Sequence, residues 1–166
     1  MKTPIRPFVL LACAVSIIAL PSCETGPQPR RVPFNEADFA PSAHSGSASI
    51  VGQIYISFKD GSLRPGRNIG VDLVPVNAYT EEIVQRKIVR GQTLQPGDPR
   101  YDKYVRHTVT DGLGNFQFGH LPAGQYFVGG IVEWDDSQSF RVHQSSWAWE
   151  RVTVGPGESV RVVVNQ

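Results

Sequence analysis

The chain has 166 residues, with 16 Lys plus Arg against 15 Asp plus Glu and a formal net charge of +1. So even a balance lacks the basic footprint of a nucleic-acid binder, so nucleic acid is not an expected partner. Its two cysteines, Cys13 and Cys23, both fall in the first 23 residues. Downstream of them a disulfide, thiol catalysis and cysteine-bound zinc are excluded.

Lys2 and Arg6 precede an apolar run from Phe8 to Leu20, followed by Pro21, Ser22 and Cys23. A charged start, an apolar middle and small residues before a cut make residues 1–22 an export signal. The run falls short of the about 20 apolar residues that a spanning helix needs. Leu20-Pro21-Ser22-Cys23 resembles the lipobox of bacterial lipoproteins, which implies lipidation of Cys23 and anchoring to a membrane. Glu24 after the cysteine leans towards the outer membrane of a bacterial envelope. The alternative is an ordinary signal peptide with an incidental cysteine. Several acyl chains on one residue would anchor stably, because each buried methylene contributes about 0.8 kcal/mol.

Residues 23–49 are rich in Pro, Ser, Gly and Ala and show neither helical nor strand periodicity. That composition predicts a flexible tether reaching on the order of 25 to 30 Å, with Phe34 and Phe39 free to dock on the domain. Residues 50–166 form one domain by length.

In that domain Ile50, Gly52, Ile54, Ile56 and Phe58 alternate with Val51, Gln53, Tyr55 and Ser57, a half-buried strand ended by the turn Lys59-Asp60-Gly61-Ser62. Ile69, Val71 and Leu73 make a second strand. The period then changes. Thr80 is the expected N-cap of a helix with Glu81 and Glu82 in its first turn, Arg86, Lys87 and Arg90 late, and Gly91 at its end. Val84 and Ile88 share a face, and Glu82 can pair with Arg86. Asp98-Pro99 starts a short helical turn through Tyr104. Residues 77–104 are therefore a helix-and-loop insert between the second and third strands.

Strands return at residues 106–110, 115–118 and 125–134, then 147–154 and 159–164 around the turn Gly155-Pro156-Gly157-Glu158. Asp111, Gly112 and Gly114 mark one reversal. Leu121 to Gly124 marks another, with Gly124 free to take a positive φ. Gly129-Gly130 points to a bulge or a close backbone contact. The total is an all-β, seven-stranded antiparallel sandwich.

Asp111, Gly114, Phe116, Phe118, Leu121, Pro122, Gly124 and Tyr126 spell D-x-x-G-x-F-x-F-x-x-L-P-x-G-x-Y. This resembles the signature of carboxypeptidase regulatory-like domains, which implies a transthyretin-like sandwich of the carbohydrate-binding-like group. Such domains are usually accessory modules, so the resemblance implies a fold and little chemistry.

Trp147 and Trp149 are the leading candidate binding residues, with Trp134 as a third. If Val152 and Val154 face the core, alternation puts Trp147 and Trp149 beside Arg151 and Thr153 on the outward face, a stacking surface for a sugar or a partner's side chain. The preferred alternative is burial, either by a bulge near Glu150 or under the 77–104 insert, whose apolar face must pack on something. Glu133, Asp135 and Asp136 are an acidic cluster best read as a solvated loop end, since their spacing lacks the ligand series of a calcium loop. His44, His107, His120 and His143 are dispersed, away from metal-ligand spacing. Ser145 and Ser146 have no nucleophile elbow around them. Tyr101 and Tyr104, among Arg100, Lys103 and Arg106, are read as packing on the sheet.

The sequence therefore favours a non-catalytic, lipid-anchored envelope module that serves interaction or structure, with another envelope protein as partner. A glycan-binding domain using the tryptophans, with a polysaccharide as partner, is the alternative. No cofactor or metal is expected. A hydrolase is the distant third reading, and it would require His107 or His143 within about 3 Å of a carboxylate in a pocket.

Overall fold

A computed structural model describes residues 26–136 and 142–165. The expected export signal, residues 1–22, and Cys23 lie outside the described residues. Eight strands form two four-stranded sheets: β1 Ala48–Ser57, β2 Leu63–Pro65, β3 Gly70–Pro75, β4 Arg106–Val109, β5 Asn115–Leu121, β6 Gly124–Asp136, β7 Val142–Val154 and β8 Ser159–Asn165. The all-β expectation holds.

Two details of the expected sandwich are corrected. The described strands number eight, because the short exposed β2 pairs with the end of β1 at Tyr55, Ile56 and Ser57. Three residues are too few for any period to show. The pairing is also not wholly antiparallel, since β1 and β8 run parallel from Ser49↔Ser159 to Tyr55↔Asn165. Along its other side β1 meets β5 and then β2, both antiparallel, and the second sheet runs β4-β3-β6-β7.

The inner faces obey alternation. Ile50, Ile54 and Ile56 of β1, Phe116 and Phe118 of β5, Tyr126, Val128 and Val132 of β6, and Val162 and Val164 of β8 are buried in one core. Each such aliphatic side chain contributes about 1.5–3 kcal/mol relative to exposure. The turn into β5 is held by Asp111, whose Oδ1 accepts from the N–H groups of Leu113 and Asn115 at 2.8 and 2.9 Å. The Asn115 side-chain amide bonds its other oxygen, and these bonds hold the Asp111 carboxyl below its ordinary range. Gly114 has φ +82° there, and a Cβ would meet Pro65 and the Ile54 backbone. At the β5–β6 reversal the left-handed residue is His120, φ 56°, rather than Gly124. Tyr126 Oη closes that turn on the Pro122 carbonyl at 2.8 Å.

Between β3 and β4 the chain leaves the sheet. Helix α1, Ala78–Ile83, continues as a π-helical turn over Val84–Val89, and Pro99–Tyr104 form a 3-10 helix. Asn77, not Thr80, is the N-cap; Thr80 sits three residues in and closes a reciprocal capping box with it. Gly91, at φ +61°, follows the helical turn, and Asp98 caps the 3-10 helix through Arg100 N–H.

The expected tether is corrected as well. Within the described residues, 26–47 dock on the insert as a strap. Gln28 exchanges backbone hydrogen bonds with Thr93 and Gln95, and residues Glu36–Ser42 form a 3-10 helix capped by Asn35. Phe39 is 0% exposed. It stacks with Phe34 at 5.2 Å and meets Tyr104 at 4.7 Å, while Tyr79 joins Phe34 at 5.5 Å. Composition alone misleads here because two aromatics and a few backbone bonds suffice once another surface supplies the partners.

Candidate functional site

The register of β6 on β7 is continuous from Gly124↔Val154 to Asp136↔Val142. No bulge intervenes near Glu150, so Ala148, Val152 and Val154 are buried in the core and Trp147 and Trp149 point to the opposite face. Gly129-Gly130 likewise carry no bulge. The pair marks close backbone contact: a Cβ on Gly129 would lie 2.8 Å from Trp149 Cβ and against the Ala148 carbonyl, and one on Gly130 against the Gly70 carbonyl.

The outward face of the second sheet is where the insert lands. Val74 of β3, Phe127 of β6 and Val84 of the insert are buried together, with Ile88, Tyr101, Val105 and Trp149 packed partly against them. Trp149 meets Phe127 edge-on at 5.6 Å. Arg151 lies 4.9 Å above the Phe127 ring and pairs with Glu81 of α1, stapling helix to sheet. Thr80 donates to the Pro75 carbonyl at 2.7 Å. The insert covers the tryptophans only in part, and both remain half-buried.

Between insert and sheet a cleft of about 230 Å³ stays open. Its floor follows one row of paired positions, His107 on β4, Asp72 on β3, Gly129 on β6 and Trp149 on β7. His107 Nδ1 lies 2.7 Å from Asp72 Oδ1. Gly129 leaves the floor bare between that pair and the indole. Trp147 forms the outer wall, with Lys87 Nζ 5.7 Å from its ring centroid, and Tyr101 and Asp102 line the opposite side. Burial pushes the Tyr101 phenol up, which keeps it a neutral hydrogen-bonding group. Two indoles, two carboxylates, an imidazole, an ammonium and a phenol around a small half-open space suit a ligand with apolar ring faces and hydroxyl edges.

The other candidates lie apart from this cleft. Trp134 faces the core side and meets Phe58 edge-on at 5.5 Å, so it is not part of the platform with Trp147 and Trp149. Glu133 is exposed, with His143 Nε2 3.7 Å from its carboxylate. The side chains of Asp135 and Asp136 lie outside the described residues. Among the described residues no three His, Cys, Asp or Glu groups are close enough to hold a metal ion. The signature residues Asp111, Gly114, Phe116, Phe118, Leu121, Pro122, Gly124 and Tyr126 build β5, β6 and their turns rather than the cleft. Sequence reasoning missed Asp72, Lys87, Gly129 and Asp102. A Gly-Gly within a long strand was the only local signal for any of them.

Neither a protein-family model nor a curated protein matches the chain. Among solved structures it is similar to a Pseudomonas aeruginosa protein described as a candidate carbohydrate-binding protein, at 26% identity and TM-score 0.70, covering 80% of this chain and 97% of that one. Slighter likenesses are to an (S)-allantoin synthase, at 11% identity and TM-score 0.35 over 74% of this chain and 42% of that one, and to a 9R-lipoxygenase from Cyanothece, at 17% and 0.29 over 69% and 16%. The Pseudomonas likeness supports an all-β fold of the carbohydrate-binding-like kind.

Proposed function

We propose that this protein is an exported, lipid-anchored domain of a bacterial envelope that binds glycan in the cleft between the 77–104 insert and the outer face of the second sheet. The observation that carries this reading is the row His107, Asp72, Gly129, Trp149 beneath the Trp147 wall, which sets hydrogen-bonding groups and an indole on either side of a bare glycine floor. A pyranose offers the matching surfaces, an apolar face for the indole and equatorial hydroxyls for Asp72 and His107. The similar Pseudomonas protein, described as a candidate carbohydrate binder, supports it too. The same reading takes the fold as transthyretin-like and the domain as carboxypeptidase regulatory-like, with residues 1–22 removed and Cys23 acylated, towards the outer membrane. It ranks glycan binding above service as a protein-interaction module. Trp147→Ala is expected to abolish retention on polysaccharide with little change in melting temperature, because Trp147 is half-exposed. Unchanged retention would refute the assignment. Radiolabelled palmitate incorporation that disappears in Cys23→Ser tests the anchor.

One observation favours a second reading. The His107–Asp72 pair at 2.7 Å, in a cleft, meets the geometric condition set for a hydrolase. Thr80, the aliphatic hydroxyl that lines the cleft, is committed to the Pro75 carbonyl, so binding without turnover is the reading we adopt. Release of reducing ends from oligosaccharides, lost in His107→Ala, would reverse that order.

A further inference from the structure

We infer that the cleft is one end of a longer groove along β7, and that its ligand is a run of linked sugars of a linear, neutral glycan rather than a single sugar. The inference rests on the glycan reading above. The cleft alone, at about 230 Å³, lies below the range of about 300–1,000 Å³ usual for small-molecule pockets and has room for roughly one ring. It does not end at Trp147. A second, more open depression of about 430 Å³ lies on the other side of that indole and shares both Trp147 and Asp72 with the cleft. Its floor is Gly70 and Gly130, and Ile131 and Glu133 stand at its far edge.

The strand register lays these groups out as a ladder. On the outward face Trp149 is level with Gly129, Trp147 with Ile131, and Ser145 with Glu133. Alternate positions on a strand are separated by about 6.6–6.8 Å, so three rungs extend over roughly 13 Å, the length of about two or three linked rings. The insert roofs the first rung, closes the groove beyond it through the Arg151–Glu81 pair and reaches the second rung only through Lys87, so a chain seated under the insert can run out along β7 over the open third rung. Ile131, 39% exposed, supplies an apolar rung where a second ring would lie.

Charge selects among linear glycans. Asp72, Asp102 and Glu133 line the two depressions, against one lysine, Lys87, and His107. His107 lies against Asp72 and His143 against Glu133. Carboxylates at both ends of the groove accept hydrogen bonds from hydroxyls and repel uronates.

Calorimetry on the full mature chain in detergent tests this, using neutral β-linked glucose and N-acetylglucosamine oligomers of one to six units beside a uronate series of the same lengths. Affinity is expected to rise about tenfold from two to four units, the worth of one more aromatic or apolar contact, and then to level off. Ile131→Lys should remove that gain and leave disaccharide affinity unchanged; Glu133→Ala, also exposed, should lower affinity for the longer chains only. Equal affinity for one and six units would overturn the extended groove and leave the glycan reading standing. Tighter binding of the uronates would overturn neutrality. Binding of none would overturn this inference and the glycan reading together.

Discussion

Glu82 and Arg86, one helical turn apart, form a buried ion pair at 2.6 Å whose remaining hydrogen bonds all reach for the chain before the sandwich or the loop after the helix. The Glu82 carboxylate accepts from Arg31 N–H at 2.8 Å and Val32 N–H at 3.1 Å. The Arg86 guanidinium donates to the Pro29 carbonyl at 2.7 Å and to the Gln92 side chain at 2.9 Å. A pair that on a lone helix would be worth only a few tenths of a kcal/mol thus becomes the fastening of the strap to the insert, and through the insert it sets one wall of the cleft.

Removing one partner leaves the other charge buried and unmatched, so Glu82→Gln should destabilise the fold by about 3 kcal/mol in urea titration. Burial by itself raises the Glu82 pKa, but the hydrogen bonds from Arg31, Arg86 and Val32 outweigh it and the net shift is downward from 4.5. A carboxylate depressed in the folded state stabilises fully above its unfolded pKa and loses that contribution as pH falls through the folded one. The stability gap between the wild type and Glu82→Gln should therefore be constant near neutrality and narrow below about pH 4.5. A gap that widens in acid would contradict the pairing.

Phe39 tests whether the strap belongs to the fold. A residue in a free tether can be truncated without effect, whereas loss of a fully buried phenylalanine costs about 3–5 kcal/mol. Phe39→Ala should fall in that range and should speed proteolysis between residues 26 and 47. An unchanged melting curve would restore the tether.

Gly129 holds the cleft floor bare and lets β6 and β7 close up beside Trp149. Gly129→Ala should cost about 1–3 kcal/mol, since the new methyl group has no free space on the Ala148 carbonyl and Trp149 Cβ. It should also change the indole near-ultraviolet circular dichroism. Gly112, with open space around its Cβ position, is the control, and its alanine variant should leave both signals in place.

His107 is 66% exposed and Asp72 48% exposed at their side chains. A pair that open contributes about 0–1 kcal/mol to stability. His107→Ala should keep its melting temperature within a few degrees and weaken glycan binding severalfold. A large loss of stability with binding intact would assign the pair to the scaffold instead.

Taken alone, the sequence determined the all-β class and most element positions. Alternation at Ile50 to Ile56, Phe116 and Phe118, and Tyr126 and Val128 is a local property that the pleat converts directly into inside and outside. The Asp111 turn, the end of the helix at Gly91 and the Glu82–Arg86 pair were legible for the same reason, because their partners lie within five residues. The outward face of Trp147 and Trp149 was legible only on the condition that Val152 and Val154 face the core, and burial by a bulge or under the insert was the preferred reading. Tertiary structure decided the rest. It folded the strap onto the insert through Phe39 and the ion pair, ran β8 parallel to β1, and left the indoles half-covered instead of bare or buried. It also assembled the cleft, because Asp72, His107, Gly129 and Trp149 come from four strands and meet only through their registers. Periodicity fixes which face a side chain takes, but what lies across from it depends on pairings between distant segments, and those are set by how well whole surfaces pack.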